Sequence, residues 1–452
     1  MIVMKFGGTS VGSAERIRAL AERVRERSSQ GPVVVVSALS GVTDILIRGA
    51  RQALERRAAV HEIVALLLER HREVALALFP AGALRERLLT HVGNVVGELQ
   101  TLYTGVQYLG ELTPRSLDAI SAMGERLSCE LVAAALEASG VPSRAVDARG
   151  LIVTDESFGK AQPIMDESAV RVRELLRPLV QGGCVPVVPG FIGSTRSGVT
   201  TTLGRGGSDL SAAVIGALLP AEEIQIWTDV DGIMTVDPRA VAGARALSEL
   251  SFEEAAELAY FGAKVLHPAT LKPAVERGIP VRILNSLNPS APGTLVGEGP
   301  EGLLGEPRAI AFKKGITVVL ISQPRMLMAC GFVATVFEVF GRQRTPVDLI
   351  ATSEVSISLT VDDPERLAGI QSELAQLGEV RILRNMAIVS IVGRGFVRRA
   401  GLAARVFQAL SQVNVVMISF GASDVNLSCV VAEADAERAV RLLHTEFFEG
   451  QS

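Results

Sequence analysis

Cysteine is scarce. The 452 residues hold four (Cys129, Cys184, Cys330 and Cys429), widely scattered and without a C-x-x-C pair. That spacing indicates neither a disulfide framework nor a zinc site, and it suits a reducing, cytoplasmic setting. Basic excess is missing too: 45 lysines and arginines face 49 aspartates and glutamates, a net charge of -4. Nucleic acid is therefore not expected as a partner. The opening run Met1-Ile2-Val3-Met4-Lys5-Phe6 is too short an apolar stretch for a secretory or membrane-spanning segment, so neither export nor membrane anchoring is expected. Walker A spacing and the protein-kinase signature set are absent, and so is a Ser or Cys nucleophile motif. If the protein transfers phosphoryl groups, it does so on another fold.

What is present is a soluble composition, 48% hydrophobic and 21% charged, in a chain long enough for two or three domains. IVMKF reads as a strand, GGTSVGS as a turn and AERIRALAERVRERS as an amphipathic helix; PVVVVSAL completes a β-α-β unit. Apolar runs without polar alternation, here VVVV, VPVVPGF and IQIWTDV, are what parallel strands covered on both faces require. These features predict a doubly wound α/β sheet. Residues 45 to 140 read as mainly helical and are expected to frame a substrate cleft. The Pro/Gly-rich stretch 288 to 307 reads as a linker that ends this pattern. Beyond it, a gapless shift of 70 residues lays the segment from Val336 onto the segment from Val406. Val336 and Phe337 recur as Val406 and Phe407, and Ser353, Val355 and Ser358 as Ser423, Val425 and Ser428. Each copy reads as helix, strand, turn, strand, which predicts two βαββαβ modules.

Four motifs carry candidate chemistry. In Lys5-Phe6-Gly7-Gly8-Thr9-Ser10 the glycines let backbone N–H groups approach a phosphate, or simply form a tight turn. A lysine in an apolar strand is costly to bury alone, so Lys5 is expected to meet an anion. In Thr200 to Asp209 a glycine-rich loop precedes an Ala-rich helix. Ser208 or Asp209 reads there as an ordinary N-cap, with or without a catalytic task. Capping leaves Arg205 unexplained, and its forked guanidinium suits a carboxylate. The turn after Ile226-Trp227-Thr228-Asp229 lies where open α/β sheets bind ligands, although Asp231 and Asp237 read as structural turn acids. In Phe261 to Pro268 a second lysine, Lys264, stands beside glycine, and His267 reads as packed or capping.

Taken in order, KFGGTSVGS, VVSALSGVTD, MGERLSCELVAAAL, GFIGST, TTTLGRGGSDLSAA, IWTDVDGIMTVDPR, SFEEAAELAYFGAKVLHPATL and SEVSISL resemble the aspartate kinases of the amino-acid-kinase superfamily, over nearly the whole chain. Residues 326 to 361 and MISFGASDVNL look like the paired ACT regulatory modules of the monofunctional, lysine-sensitive type. The resemblance implies an α/β/α catalytic domain over residues 1–297 and ACT domains over 308–385 and 386–449. It implies transfer of the ATP γ-phosphate, with Mg2+, to the side-chain carboxylate of L-aspartate.

Carried over by position, Lys5, Gly7, Gly8 and Thr9 would contact the phosphates of ATP. Thr228, Asp229, Met234, Arg239, Lys264 and Val265 would line the nucleotide site; relatives usually have tyrosine at the place of Met234. Thr43, Glu125, Arg205 and Ser208 would hold aspartate, and Asp209 would organise the phosphate loop. Lys5, Asp209 and Lys264 would be catalytic. Met326, Gly331, Phe332, Asp348, Ser353 and Glu354 would meet an effector, L-lysine by resemblance, with threonine or none as alternatives because Met328 and Ala329 depart from the relatives' more polar residues. Asp348 and Glu354 also read as solvated strand-end acids. A homodimer or homotetramer through the ACT modules is expected. Two other readings stay open at this point: a sister kinase acting on glutamate, carbamate or a nucleotide, and a catalytically silent amino-acid sensor.

Overall fold

The computed structural model describes residues 1–55, 60–262, 268–323, 331–362 and 365–449, without the side chains of 268, 269 and 301. Lys264, Val265, His267, Met326, Met328 and Ala329 lie outside the described residues. Two compact units result, Met1–Ile233 with Val265–Gly299, and Met234–Lys264 with Pro300–Ser452.

The first unit is built on β1 (Ile2–Phe6), β2 (Pro32–Val36), β3 (Ser143–Ala145), β5 (Val185–Pro189), β8 (Glu223–Thr228) and β10 (Val281–Asn285), in the order β3-β5-β2-β1-β8-β10 and parallel throughout. Every residue of β1, β2 and β5 is buried. The cause is cover on both faces. Helices Ala14–Glu26 and Met123–Ala138 share one core with β1 and β2, while Met165–Gln181 and Gly207–Leu218 pack on the other side. An α/β/α sandwich results, as the unalternated valine runs predict. A small sheet of β4 (Val153–Thr154), β6 (Ile192–Thr195) and β7 (Thr200–Thr202) lies beside it in the same unit.

The described residues from 45 to 140 are mainly helical, in Val42–Leu54, Val60–Leu78, Ala83–Leu109, Pro114–Ser121 and Met123–Ala138. The stretch read as a linker is in part a strand. Thr294–Gly297 forms β11, antiparallel to β10, after a turn in which Gly293 has φ 70° and a side chain would meet the Ile283 carbonyl. Among the described residues no helix is long and apolar enough to cross a membrane.

The second unit begins with Met234–Lys264, a segment that the sequence reading places in the catalytic domain. It packs here because Val236 and Val241 are buried in the core of the second repeat; β9 (Glu249–Ser251) and helix Phe252–Tyr260 follow along the same segment. A capping box joins Ser251 and Glu254 at that helix start.

The remaining strands are β12 (Ala309–Ser322), β13 (Ile350–Thr352), β14 (Ser356–Val361), β15 (Glu379–Val392), β16 (Val415–Phe420) and β17 (Asn426–Ala432). They form one sheet in the order β13-β14-β12-β15-β17-β16. Its long strands β12 and β15 are each shared by both modules. The far half of β12 pairs with β14 and with the near half of β15, over a core of Val319, Ile321, Val336, Phe340, Leu359 and Ile370. The near half, Ala309 to Lys313, pairs with Val392 to Ile388 and contributes Ile310 to the second core. The fourth strand of the second βαββαβ module therefore comes from before the first module, not from the C-terminal end.

The repeat is physical. Val336 and Val406 are both fully buried, and the hydroxyls of Ser353 and Ser423 accept from the backbone N–H of Val355 and Val425, closing the same turn twice.

Candidate active site

The candidate residues of the first unit gather at the C-terminal ends of β1, β2 and β8, where open parallel sheets leave backbone groups and helix starts free for a ligand, and after β7, which is antiparallel to β6 in the small sheet. Lys5 stands near the end of β1 in an otherwise apolar strand, and its Nζ lies 2.7 Å from Asp209 Oδ1. This is the anion that burial of Lys5 demands. The contact is ionic and not an aligned hydrogen bond, because Oδ1 has no donor in hydrogen-bond geometry. After Phe6 the chain turns at once. The Gly7 N–H donates to the Trp227 carbonyl at 3.1 Å, and a side chain at Gly8 would come within 3.0 Å of the Ala38 carbonyl. Gly8–Ser10 is a short 3-10 turn with Thr9 exposed, so the long helix does not follow the glycines directly but starts at Ala14, capped by Ser13.

Helix Gly207–Leu218 corrects one reading. Neither Ser208 nor Asp209 is its N-cap: that position is Gly206 at φ 71°, without a side-chain cap. Left-handed Gly204 and Gly206 bracket Arg205, whose exposed guanidinium makes no hydrogen bond or ion pair among the described residues. Freed from capping, Ser208 accepts from the Ser37 hydroxyl at 3.0 Å, and the Ser37 carbonyl accepts from the Ser128 hydroxyl at 2.7 Å. One turn before Ser128 on the same helix is Glu125, 4% exposed. Burial pushes its carboxyl up to about 8, against the pull of the Ala38 amide that hydrogen-bonds it. Its Oε2 has no partner. Thr43 is half-buried in the first turn of Val42–Leu54, behind left-handed Gly41.

At the end of β8 the Thr228 hydroxyl donates to the exposed carboxylate of Asp229 at 3.2 Å. Asp231 accepts from the amides of Asn285 and Asn288, in keeping with a structural turn acid. Met234 and Arg239 belong to the second unit. There Asp237 accepts from the Arg239 backbone N–H, Nε and Nη2, so both are committed to one turn. The structure thus brings together Lys5, Asp209, Ser208 and Glu125, with Gly7, Gly8 and Thr228 around them.

The sequence reading missed Ser37, Ser128 and Asp118. Asp118 stands in TPRSLDA, with no glycine or charge pattern to mark it. Among the described residues no group of three His, Cys, Asp or Glu side chains could hold a metal ion.

In the second unit Asp348 is not a solvated acid. Its side chain is 4% exposed, Tyr260 Oη donates to Oδ1, Lys313 Nζ lies 3.9 Å away and Oδ2 is unpartnered. Burial, opposed by Tyr260 and reinforced by Asp362, pushes its carboxyl up to about 6. Glu354 is exposed, the solvated alternative. Ser353 exchanges a 2.7 Å hydroxyl contact with Ser356. Gly331, at φ 87°, is the N-cap of helix Phe332–Arg342, which Phe332 opens half-buried.

A lysine and glycine turn at the end of a doubly wound sheet, facing a helix start that carries an acid, suits phosphate binding without a Walker loop. Residues 1–285 match the amino acid kinase family and residues 389–447 an ACT domain, so the class is an amino acid kinase with ACT regulation. The chain is 39% identical to chloroplastic aspartokinase 1 of Arabidopsis thaliana, over 99% of this chain and 80% of the relative. It is 37% identical to lysine-sensitive aspartokinase 3 of Escherichia coli (strain K12), over 99% of each. The structure of E. coli aspartokinase III in complex with aspartate and ADP (R-state) matches with a TM-score of 0.84 and 35% identity, covering 99% of this chain and 100% of that one. The complex of the same enzyme with lysine and aspartate (T-state) matches at 0.82 and 34% identity, covering 99% of each. The chain belongs to the aspartokinase family, kinases whose acceptor is a carboxyl group. That membership sets aside the sister-kinase and silent-sensor readings.

Proposed function

We propose that the protein transfers the γ-phosphoryl group of ATP to the side-chain carboxylate of L-aspartate, giving 4-phospho-L-aspartate, the first step towards lysine, threonine and methionine, and that L-lysine inhibits it. The observation that carries the substrate reading is Glu125, a buried carboxyl with one oxygen unpartnered. Such a group calls for a cation, and the substrate ammonium supplies one. Arg205, exposed and unpaired among the described residues, takes the α-carboxylate, and Ser208 and Thr43 supply hydroxyls. With both backbone charges held, the side-chain carboxylate is left to face the nucleotide.

That carboxylate is ionised at neutral pH, its pKa being about 3.9 in free aspartate, so no general base is required. The task is to bring two anions together and to stabilise charge on the transferring group. Lys5 moves its charge to the phosphate, and Gly7, Gly8 and Thr9 offer the turn. Thr228 and Asp229 line the nucleotide side. Mg2+ ordinarily takes only one or two carboxylates besides substrate phosphates, and Asp209 is the carboxylate at this turn that fits. When bound, it neutralises phosphate charge.

The lysine reading is supported by the buried, half-satisfied Asp348 and by the likeness to the lysine-sensitive relative. The exposed apolar residues Ile350 of β13 and Ile418 and Phe420 of β16 support a homodimer or homotetramer through the ACT strands. Incubation with ATP, Mg2+ and L-aspartate in the presence of hydroxylamine should yield ADP and a hydroxamate. Equal turnover with glutamate, or no hydroxamate from folded protein, would remove the substrate assignment.

A further inference from the structure

Asp118 lies in helix Pro114–Ser121 and is 2% exposed, yet no cation approaches it among the described residues. Its carboxylate is instead satisfied by three donors. Oδ1 accepts from the Thr202 hydroxyl at 2.7 Å, and Oδ2 accepts from the Thr202 backbone N–H at 2.8 Å and the Gly159 N–H at 2.9 Å. Thr202 is the last residue of β7, and Leu203, Gly204 and Arg205 follow it directly.

The Thr202 carbonyl accepts from the Ala161 N–H at 2.9 Å, so the same residue also holds the loop that carries Gly159. The two loops are close-packed. A side chain at Gly204 would come within 3.0 Å of the Gly159 carbonyl. Asp118 therefore pins the start of the Arg205 loop and the loop beside it to one helix. That helix joins, through Ala122, the helix bearing Glu125.

We propose that Asp118 is a positioning residue that fixes the Arg205 loop to the helix pair bearing Glu125, and thereby sets affinity for the amino-acid acceptor. The proposal rests on the reading of Arg205 as the clamp for the α-carboxylate. Charge-assisted hydrogen bonds from Thr202 and Gly159 define where the loop starts, while Gly204 and Gly206 at φ 76° and 71° define how it turns. An amide at position 118 removes the charge that strengthens all three bonds; with its oxygen in the place of Oδ2 it keeps the two backbone donors, and its NH2 turns the Thr202 hydroxyl from donor to acceptor.

The test is a kinetic cycle on the full chain with Asp118→Asn, Thr202→Val, Arg205→Ala and the Asp118→Asn/Arg205→Ala double variant, with melting temperature and circular dichroism recorded for each. Asp118→Asn should raise KM for aspartate roughly tenfold, with KM for ATP unchanged and kcat within about threefold. Thr202→Val, which removes one donor and keeps the shape, should shift KM for aspartate in the same direction by less. If Asp118 acts through Arg205, the double variant should be no worse than Arg205→Ala alone.

The proposal fails if Asp118→Asn has the wild-type KM for aspartate, or if its effect persists in full on the Arg205→Ala background. It fails equally if both KM values and kcat deteriorate together with the melting temperature, since that marks a general loss of structure. Should Asp118→Asn not fold, Thr202→Val decides alone by the same criteria. Arg205→Ala with an unchanged KM for aspartate would overturn the clamp and this proposal together. A raised KM in Arg205→Ala beside a wild-type Asp118→Asn would overturn this proposal only.

Discussion

Burial beside Ala38, with no ion pair among the described residues, pushes the Glu125 carboxyl up to about 8, so near neutral pH it favours the protonated form that an ordinary glutamate has lost. An incoming ammonium reverses that preference, so aspartate binding below about pH 8 should expel a proton. Apparent aspartate affinity should rise with pH up to about 8 and level off above it, and Glu125→Gln should bind weakly and without that dependence. Calorimetry in buffers of different ionisation enthalpy measures the proton directly. The sign for stability is opposite. In the free protein the folded state keeps the proton between the ordinary 4.5 and about 8 while the unfolded chain has released it, so this group's contribution falls as pH rises through that window. The two cations at the site should separate kinetically. Arg205→Ala should mainly raise KM for aspartate, whereas Lys5→Ala should mainly lower kcat, by about 100-fold or more if its charge is used in the transition state. A folded variant of either kind with wild-type kcat/KM would cancel that residue's role.

At the scale of elements, the site depends on backbones that approach without side chains between them. Gly190 follows β5, and a Cβ there would lie 2.8 Å from Ser208 Cβ and 2.9 Å from Ser208 Cα. The obstruction is partly backbone, so it cannot rotate away. Gly190→Ala should displace the start of helix Gly207–Leu218 with Ser208 and Asp209, cost about 1–3 kcal/mol of stability, and reduce kcat/KM beyond what the lost stability explains. Denaturant melts beside steady-state kinetics check both, and an alanine variant with unchanged activity would show that the helix start has room. This element also shows where local signals mislead: Ser208 and Asp209 look like caps in sequence, but the left-handed Gly206 takes that place and leaves Ser208 to meet Ser37 and Asp209 to meet Lys5. In the other unit, the half-strand Ala309 to Lys313 joins a module whose remaining elements follow it by about seventy residues, a pairing that no local pattern encodes.

At the scale of the whole molecule, the amino acid kinase match, residues 1–285, includes a segment of the second compact unit, while the ACT match, residues 389–447, lies wholly in that unit. An inhibition titration with lysine and threonine should show lysine acting at millimolar concentration or below. Asp348→Asn should weaken it, and Glu354→Ala, altering a solvated side chain, should change it by less than about twofold. Inhibition should also fade as pH falls below about 6, since the Asp348 carboxyl, raised by burial among Tyr260, Lys313 and Asp362, then loses its charge. Wild-type insensitivity to lysine would end the effector assignment and leave the kinase untouched. Sequence alone determined the doubly wound sheet, the repeat and the order of the motifs, because these rest on local periodicity, glycine turns and residue identity along the chain. Only tertiary structure decided that Asp209 answers Lys5, that Asp348 is buried while Glu354 is not, that Met234–Lys264 packs with the second unit and that Asp118 holds the start of the Arg205 loop. Each of these depends on burial or on a partner tens to hundreds of residues away, and such partners are chosen by packing, which leaves no periodic trace in the chain.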